Sequence, residues 1–478
     1  MNNDFVKEIT PKTKDFSQWY VDIILKAELA DYSPVRGCMV IRPYGYAIWE
    51  NMKQLLDNRF KATGHKNAYF PLFIPESLLQ KEAEHVEGFA PEVAWVTHGG
   101  DEKLGERLAV RPTSETIICN MYSKWIKSWR DLPVLINQWC NVVRWEKSTK
   151  PFLRTAEFLW QEGHTAHMTK EEAEEETLKM LEVYRDFVEK ELSLPVITGI
   201  KSDNEKFAGA LKTYTIEALM GDGKALQAGT SHNLGQHFAK AYNITYLDQD
   251  GKLEYVWQTS WGVTTRLIGA IIMVHGDDRG LKLPPNIAPI QTVIVPIIGK
   301  QTDLVLNKAK SIYSALKDKV RIELDDRNEY TPGWKFNDWE MKGVPIRLEI
   351  GPKDIQKQQV VLVRRDTGEK TAVSETELLP RLQNMLKDIQ GNMFTQAKEF
   401  MQKNIREVKD FDEFKQIMDD KRGFIKTHWC KSLECERYVK EQTGATLRCI
   451  PFSKESVSGK CIVCNKETDT IVYFAKSY

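Results

Sequence analysis

The most informative segment of the chain runs from Asn141 to Ala166 and reads NVVRWEKSTKPFLRTAEFLWQEGHTA. It predicts a strand that ends at Arg144-Trp145-Glu146, a polar loop, and a second strand that carries Arg154, Glu157, Phe158 and Trp160. Because side chains alternate along a strand, Arg144 and Glu146 are expected on one face. Guanidinium groups hold phosphate oxygens, a carboxylate accepts from an amine, and Phe158 offers a flat face to a base. The hairpin therefore suits a nucleotide, although a surface hairpin with ordinary ion pairs has the same pattern.

A second segment, Gln258 to Arg279, predicts a strand that passes into a helix at Gly262-Val263-Thr264-Thr265-Arg266. The helix is apolar at regular spacing, at Leu267, Ile268, Ile271 and Ile272. Glycine lets a ligand approach the backbone, and the helix start with Arg266 forms an anion site. Taken alone, such a turn is more often an ordinary strand-to-helix junction.

Length and composition indicate a multidomain globular protein. With 478 residues the chain exceeds the size of one hydrophobic core, so about three domains are expected. An apolar share of 42% with 28% charged residues excludes disorder throughout. Lys plus Arg and Asp plus Glu number 67 each, so any RNA contact must come from local patches rather than a global positive field.

The N-terminal residues MNNDFVKEITPKTKDFSQWY lack the apolar core of a secretory signal, and no stretch approaches ~18 uninterrupted apolar residues. We therefore expect a cytoplasmic protein with no membrane partner. Eight cysteines in that compartment indicate reduced thiols or metal ligands rather than disulfides.

The order of predicted elements divides the chain into three domains. Residues 1–285 mix strands and helices irregularly, with a hairpin at Asp250-Gly251, which favours an α+β fold with an antiparallel sheet flanked by helices. A linker with Pro284, Pro285 and Pro289 follows. Residues 286–389 show the regular pattern of a small α/β domain, and residues 390–478 are helical and then cysteine-rich.

The clearest helix of the first domain is predicted from Thr169 to Leu192. It opens with a capping box, Thr169 and Glu172, and carries apolar residues at helical spacing, Leu178, Leu181, Tyr184 and Val188. The acidic run from Glu171 to Glu176 is expected to form a solvated face.

Together the two segments resemble motifs 2 and 3 of class II aminoacyl-tRNA synthetases, the Arg-x-Glu strand with its loop and then the glycine-rich turn with its arginine. Motif 1 of that class, a helix followed by a strand ending in proline, resembles Tyr46 to Phe60 and Gly64 to Pro71. In the family this element builds the dimer interface. The resemblance therefore implies a homodimer with the class II antiparallel fold.

The segment Arg111-Pro112-Thr113-Ser114-Glu115-Thr116 resembles the proline-pocket signature of prolyl-tRNA synthetases, and GTSHNLGQHF, Gly229 to Phe238, matches the same family. A secondary ammonium needs a carboxylate and a hydroxyl to receive its two protons, and its ring needs an aromatic wall. This chemistry and the resemblance assign L-proline to Thr113, Glu115, Arg144, Phe158, Trp160 and His232. His232 also fits a structural polar histidine.

The resemblance implies that ATP binds to Arg144, Glu146, Arg154, Phe158, Gln227, Thr230, Thr264 and Arg266. The proline carboxylate attacks the α-phosphorus and expels pyrophosphate, and it is already an anion at neutral pH, so no general base is needed. Catalysis then depends on positioning and on the charges of Arg144, Arg266 and Mg²⁺. In a second step the terminal ribose hydroxyl of tRNA(Pro) takes the prolyl group.

The second domain resembles the anticodon-binding domain of the same class, with PGWKFNDWEMKGVPIRLEIGP, Pro332 to Pro352, similar to the prolyl version. Sequence-specific RNA reading stacks splayed bases on aromatic rings, which makes Phe336, Glu340, Arg347 and Lys353 the candidates. Aromatic residues at helical spacing also pack inward, so Phe336 and Trp339 fit a core equally well.

The last domain carries Cys430-x4-Cys435 and Cys461-x2-Cys464. Four thiolates in two close pairs favour a tetrahedral structural Zn²⁺ site over unliganded thiols, and prolyl-tRNA synthetases of the archaeal and eukaryotic type carry a C-terminal zinc domain. The other cysteines, Cys38, Cys119, Cys140 and Cys449, are expected to be buried small apolar residues. The pair His164 and His167 lacks further ligands and predicts no metal site.

Between motifs 2 and 3, His164 to Leu226 is too short for the editing insertion of bacterial-type prolyl enzymes. Hydrolysis of mischarged alanine in cis is therefore not expected, although a proline-sized pocket cannot strongly exclude smaller amino acids. Two alternatives remain, another class II synthetase such as threonyl or histidyl, and a paralogue that binds tRNA without catalysis. The Thr113-x-Glu115 pair argues against the first, and Arg144 with Arg266 against the second. No DNA partner is expected.

Overall fold

The computed structural model describes residues 8–83, 93–298, 302–452 and 458–478. Its first part contains α1 (Phe16–Lys26), β1 (Ala30–Tyr32), β2 (Met39–Ile41), α2 (Pro43–Ala62), β3 (Lys66–Asn67), β4 (Phe73–Pro75), α3 (Glu76–Ala83), β5 (Ala94–Gly99), β6 (Glu102–Val110), α4 (Glu115–Trp125), β7 (Val134–Val143), β8 (Glu157–His167), α5 (Lys170–Lys190), β9 (Ile197–Ile200), β10 (Lys212–Leu219), β11 (Ala225–Gly235), α6 (His237–Tyr242), β12 (Thr245–Leu247), β13 (Leu253–Tyr255), β14 (Trp257–Thr264) and α7 (Arg266–His275).

The middle part contains β15 (Thr292–Pro296), α8 (Thr302–Leu316), β16 (Ile322–Leu324), α9 (Pro332–Met341), β17 (Ile346–Ile350), α10 (Pro352–Gln356), β18 (Gln359–Arg364), β19 (Lys370–Ser374) and α11 (Leu378–Lys403). The last part, which we call the C-terminal module, contains β20 (Ile405–Glu407), α12 (Phe411–Asp419), β21 (Phe424–His428), α13 (Leu433–Thr443), β22 (Thr446–Pro451), β23 (Gly459–Lys460), β24 (Glu467–Thr468) and β25 (Ile471–Ala475).

One large sheet joins the first and last parts of the chain. Its eleven strands run in the order β20-β21-β25-β22-β9-β10-β11-β14-β8-β7-β3. Every neighbouring pair is antiparallel except β20 with β21 and β7 with β3. The seam between the two parts is the pairing of Ile450 with Ile200 and of Pro451 with Gly199. The predicted α+β fold with an antiparallel sheet flanked by helices is confirmed, and so is the hairpin at Asp250-Gly251, which joins β12 to β13.

Helix α5 covers one face of this sheet. Its capping box is confirmed, since Glu172 N donates to Thr169 Oγ1 at 3.1 Å and Thr169 N donates to Glu172 Oε2 at 3.3 Å. Two details were wrong: Leu178 is 39% exposed, and Glu176 of the acidic run is buried. The helical period turns Glu176 toward the sheet, where His65 Nε2 at 3.0 Å and Lys179 Nζ at 3.1 Å pair with its carboxylate.

The strands of the β7–β8 hairpin are shorter than the sequence predicts. The ladder ends with Val143 opposite Glu157, so Arg144, Glu146 and Arg154 lie in the connecting loop rather than on strands. The reason is a competing hydrogen bond, because Ala156 N donates to Gly37 O at 2.8 Å and leaves the ladder. Strand alternation therefore does not explain how Arg144 and Glu146 come together.

Of the strand predicted from Gly64 to Pro71, only the two residues of β3 form a strand in the structure. Beyond it the backbone is bonded by side chains: Gln138 Oε1 accepts from Phe70 N at 2.5 Å, and Arg111 donates to Phe70 O at 2.7 Å. The preceding helix α2 is present and begins at Pro43.

The middle part folds as a five-stranded sheet, β16-β15-β17-β18-β19, with parallel pairing around β15 and antiparallel pairing from β17 onward. Helix α11 packs on it and then continues to Lys403, so the expected boundary at residues 389 and 390 lies inside a helix. Buried residues at helical spacing cross that point without a break, namely Leu382, Leu386, Ile389 and Met393. None of the described helices combines the length and apolar character needed to cross a membrane.

Candidate active site

A cavity of about 340 Å³ opens on the large sheet between β8, β11 and β14 and the loops beside them. Every residue that the sequence assigned to proline or ATP lines this cavity: Thr113, Glu115, Arg144, Glu146, Arg154, Phe158, Trp160, Gln227, Thr230, His232, Thr264 and Arg266. Residues from widely separated segments therefore meet in one place.

The two arginines are held by main-chain oxygens of two different loops. Arg144 Nε donates to Pro112 O at 3.0 Å, and its guanidinium lies 5.5 Å from the ring centre of Phe158 and 5.4 Å from that of Trp160. Arg266 Nε donates to Leu153 O at 3.1 Å, at the first residue of α7. With one nitrogen anchored, each guanidinium keeps further N–H groups for a ligand.

The environment makes both guanidiniums harder to protonate, but they stay charged at neutral pH. Burial, together with the nearby charges of Arg144 and Arg154, lowers the pKa of Arg266 to about 10. The Arg144 side chain reaches water through the cavity, yet the protein atoms around it also lower its pKa by desolvation, against the opposing charge of Glu115. Positive charges that lie close enough to repel one another favour binding of a polyanion.

Acidic groups line another part of the wall, which we call the acidic end of the cavity, and the charges of Glu115 and Glu162 there reach Arg144. Thr113 Oγ1 donates to Glu115 Oε2, and Glu115 is the first residue of α4. Next to them, Glu162 accepts from Ser114 N at 3.1 Å and Gln138 Nε2 at 2.9 Å, and lies 3.0 Å from His164 Nε2. Burial raises the pKa of Glu162, but the hydrogen bond and charge of His164 outweigh burial and hold this pKa low. This end of the cavity suits a bound ammonium.

His232 lies on β11, in line with Ser260 and His164 on the neighbouring strands. Its Nδ1 is 2.9 Å from Thr213 Oγ1, and its ring centre is 4.8 Å from that of Phe207. Burial, helped by the charge of His164, lowers the pKa of His232 to about 3. The imidazole is therefore neutral at pH 7 and acts as a polar, uncharged wall.

The remaining ATP candidates lie near the two arginines. Arg154 Nε contacts Glu146 Oε2 at 2.9 Å, so these two candidates form an ion pair within the loop. Gln227 and Thr230 come from β11 and Thr264 from the end of β14. The hydroxyl of Thr264 accepts from Arg266 N at 3.0 Å and so occupies the first free N–H of α7.

Glu162, Phe207 and Ser260 are among the residues of the cavity wall that sequence reasoning missed. Glu162 could have been predicted from the sequence, because it lies two residues from Trp160 on β8 and therefore shares its face of the strand. Phe207 comes from a loop without a periodic pattern. His164 and His167 do not form a site together, since residues three apart on a strand point to opposite faces.

Three of the four predicted anticodon residues form one contact group. Arg347 lies 4.0 Å from the ring centre of Phe336, and its NH1 contacts Glu340 Oε1 at 2.8 Å. Lys353 is exposed on α10 and does not border the cavity of about 240 Å³ that Glu340 and Arg347 line. Trp339 is buried beside Val344, while Phe336 is half-buried against the same cluster.

The four cysteines of the C-terminal module converge. Cys430 Sγ lies 3.6 Å from the sulfurs of Cys435 and Cys464, and all four sulfurs lie within 4.8 Å of one another. A tetrahedral Zn²⁺ site with Zn–S bonds of about 2.3 Å requires sulfur separations of about 3.8 Å, so the group fits zinc.

The other four cysteines differ in how deeply they are buried. Cys119 and Cys449 are buried as expected, but Cys38 and Cys140 are only half-buried, which corrects that expectation. Cys140 borders the active-site wall, where its Sγ accepts from Trp160 Nε1 at 3.2 Å.

Comparison with known proteins covers almost the whole chain. Residues 95–275 match the tRNA synthetase class II core domain (G, H, P, S and T), residues 291–385 the anticodon binding domain, and residues 411–478 the prolyl-tRNA synthetase C-terminal domain. The chain is 66% identical to proline–tRNA ligase of Natranaerobius thermophilus, covering 100% of this chain and 99% of the relative. It is 63% identical to proline–tRNA ligase of Alkaliphilus oremlandii over 99% of this chain and 98% of the relative, and 57% identical to proline–tRNA ligase 2 of Bacillus cereus over the full length of both.

Proposed function

The chain belongs to the proline–tRNA ligases of synthetase class II, and we propose that it activates L-proline with ATP in the cavity described above. The prolyl group then passes from the adenylate to tRNA(Pro). One observation carries the assignment of the site: Arg144 and Arg266, 122 residues apart by their numbers in the sequence, line the same cavity as Thr113 and Glu115.

Proline binds at the acidic end of the cavity. The Glu115 carboxylate and the Thr113 hydroxyl receive the two protons of the secondary ammonium, while Phe158, Trp160 and neutral His232 surround the ring. Glu162 and His164 pair with each other in the wall beside Glu115, and their hydrogen bond helps to hold the shape of the pocket.

ATP binds beside Arg154 and Arg266, with Arg144 between the two substrates. Phe158 supports the base, and Arg144 and Arg266 contact the triphosphate, with Glu146, Arg154, Gln227, Thr230 and Thr264 as further contacts. Mg²⁺, which class II synthetases use, supplies additional positive charge on the phosphates when bound. Because the two guanidiniums are already anchored by Pro112 O and Leu153 O, they need little rearrangement as charge develops on the α-phosphate.

The middle part reads the tRNA. Phe336, Glu340, Arg347 and Lys353 are our candidates for anticodon contact, with the Phe336 ring stacked on an Arg347 guanidinium that is held by Glu340 and Glu349. Between β8 and β11 lie only α5, β9 and β10, which leaves no space for an editing domain.

The C-terminal module holds a structural Zn²⁺ ion through Cys430, Cys435, Cys461 and Cys464 in this proposal. The hydrogen bond from the Lys466 backbone lowers the pKa of the Cys464 thiol to about 7, so the exposed member of the set is readily ionised. With four thiolates the site has no open position for a substrate.

We also propose a cytoplasmic homodimer that binds tRNA and not DNA. Support for the dimer comes from large apolar side chains that are exposed beyond β3 and on the small sheet β4-β6-β5, where Tyr69 is 72%, Phe73 45% and Trp95 37% exposed. Sedimentation equilibrium should give the mass of two chains, and a monomer at micromolar concentration would contradict this part of the proposal.

ATP–pyrophosphate exchange tests the function. Exchange should depend on proline, and Arg144→Ala should reduce the rate by about 10³ because a charge-stabilising donor is lost. Arg185→Ala, which removes an exposed arginine on α5, is the matched control and should leave the rate unchanged. Exchange driven by another amino acid would select a different class II synthetase, and no exchange with zinc and Mg²⁺ supplied would select a non-catalytic paralogue.

A further inference from the structure

The loop of residues 201–211, between β9 and β10, separates two cavities. On one side, Glu205, Lys206 and Phe207 line the active-site cavity. On the other side is a cavity of about 250 Å³ between this loop and the C-terminal module, bordered by Lys206 again and by Glu436 of α13. The two cavities are therefore separated by this single loop, which we call the wall, and Lys206 borders both of them.

The inner face of the wall supports the amino-acid pocket. The Phe207 ring lies 4.8 Å from the His232 ring at an angle of 35°. Phe207 N donates to Thr213 Oγ1 at 2.9 Å, and the same hydroxyl is 2.9 Å from His232 Nδ1. A shift of the loop would therefore move both the ring and the hydroxyl that hold His232.

The outer face is fastened to the C-terminal module by one carboxylate. Glu436 is 3% exposed, and its Oε1 accepts from Ser202 Oγ at 2.8 Å and from Asn204 Nδ2 at 3.3 Å. Ser202 O in turn accepts from Lys206 N at 3.0 Å, which closes the turn before Phe207. The oxygen of Glu436 thus holds the first turn of the loop at two points.

We propose that Glu436 is a positioning residue for the amino-acid pocket, acting through Ser202 and Asn204 on the loop and through Phe207 on His232. The inference rests on the proposed role of the cavity in binding proline. It makes proline recognition depend on the docking of the C-terminal module against the catalytic sheet. ATP contacts come from other segments, so binding of the nucleotide should not depend on Glu436.

Glu436→Ala tests the proposal by steady-state ATP–pyrophosphate exchange on the full-length, zinc-loaded enzyme. The KM for proline should rise about three- to tenfold, the loss expected when buried hydrogen bonds are removed. The KM for ATP should stay unchanged, and the ratio of proline-driven to alanine-driven exchange should fall. Glu436→Gln keeps an oxygen acceptor and should restore most of the proline KM.

Glu434→Ala is the matched control, because Glu434 also flanks Cys435 on α13 but is exposed. It should leave the KM for proline and the zinc content unchanged. Ser202→Ala removes the hydrogen bond from the loop side, and its effect should not add to that of Glu436→Ala.

Equal KM values for proline in Glu436→Ala and Glu434→Ala would overturn the proposal. Additive effects of Ser202→Ala and Glu436→Ala on the KM for proline in the double variant would also overturn it. A parallel rise in the KM for proline and ATP, together with loss of zinc, would also overturn it, since that pattern indicates unfolding of the module. A wild-type enzyme without proline-dependent exchange would instead refute the proposed function itself.

Discussion

A buried charge cluster stabilises the seam between the C-terminal module and the catalytic sheet, and Arg448→Met should expose its contribution. Glu217 of β10 is 0% exposed and accepts from Arg448 at 3.0 and 2.8 Å and from Lys201 at 2.8 Å. Methionine fills similar space without charge. The variant leaves Glu217 with Lys201 and the Thr215 hydroxyl, at 2.9 Å, as partners.

The expected loss is about 3 kcal/mol in the free energy of unfolding. Breaking a buried ion pair costs about 3–5 kcal/mol, and the lower end applies because Lys201 still compensates the carboxylate. For a folding unit of about 150–250 residues this loss lowers the Tm by about 6–12 °C. Arg437→Met is the control, since Arg437 is exposed on α13 of the same module and its loss should change the Tm by less than about 1 °C.

The pH dependence gives the same prediction a second test. Burial raises the pKa of Glu217, but the charges of Arg448 and Lys201 outweigh it and hold this pKa below its ordinary value of 4.5. The contribution of the pair is therefore present above pH 4.5 and is lost as the pH falls through the lowered pKa.

Thermal unfolding of both variants and the wild type, followed by circular dichroism at neutral pH and at pH 4 and below, measures these differences. Equal Tm values for Arg448→Met and Arg437→Met at neutral pH would refute the reasoning. A Tm difference that persists undiminished in acid would show that it does not arise from the ionised carboxylate.

Two further predictions concern the other ends of the molecule. Cys464→Ser should reduce bound zinc from one ion per chain, as measured by atomic emission, and should lower the unfolding temperature of the C-terminal module. Cys449→Ser is the control and should leave the zinc content unchanged. Equal zinc content in both variants would contradict the four-cysteine site. Arg365→Met removes the ion pair of 2.6 Å with Asp277, which joins the middle part to the residues after α7. The KM for tRNA in aminoacylation should therefore rise about threefold or more, while the rate of ATP–pyrophosphate exchange stays unchanged. An unchanged KM for tRNA would show that this contact does not orient the anticodon domain.

Local patterns were enough to predict the chemistry of the site. The Arg-x-Glu segment, the Gly262 turn and Thr113-x-Glu115 carry their residue types within a few positions, and each predicted side chain lines the same cavity. Helix α5 could be predicted for the same reason, because a capping box and a helical period are written in adjacent residues. Two of the places where this reasoning was wrong, the end of β7 and the burial of Glu176, depend on distant partners, Gly37 and His65.

The sequence by itself therefore determined the family, the candidate residues that line the cavity and the four-cysteine group, since short motifs specify them. Only the tertiary structure decided how the parts depend on one another. Glu436 meets Ser202 across 234 positions and Arg448 meets Glu217 across 231. Such contacts have no local signature, because their energy arises only when folding removes both partners from water.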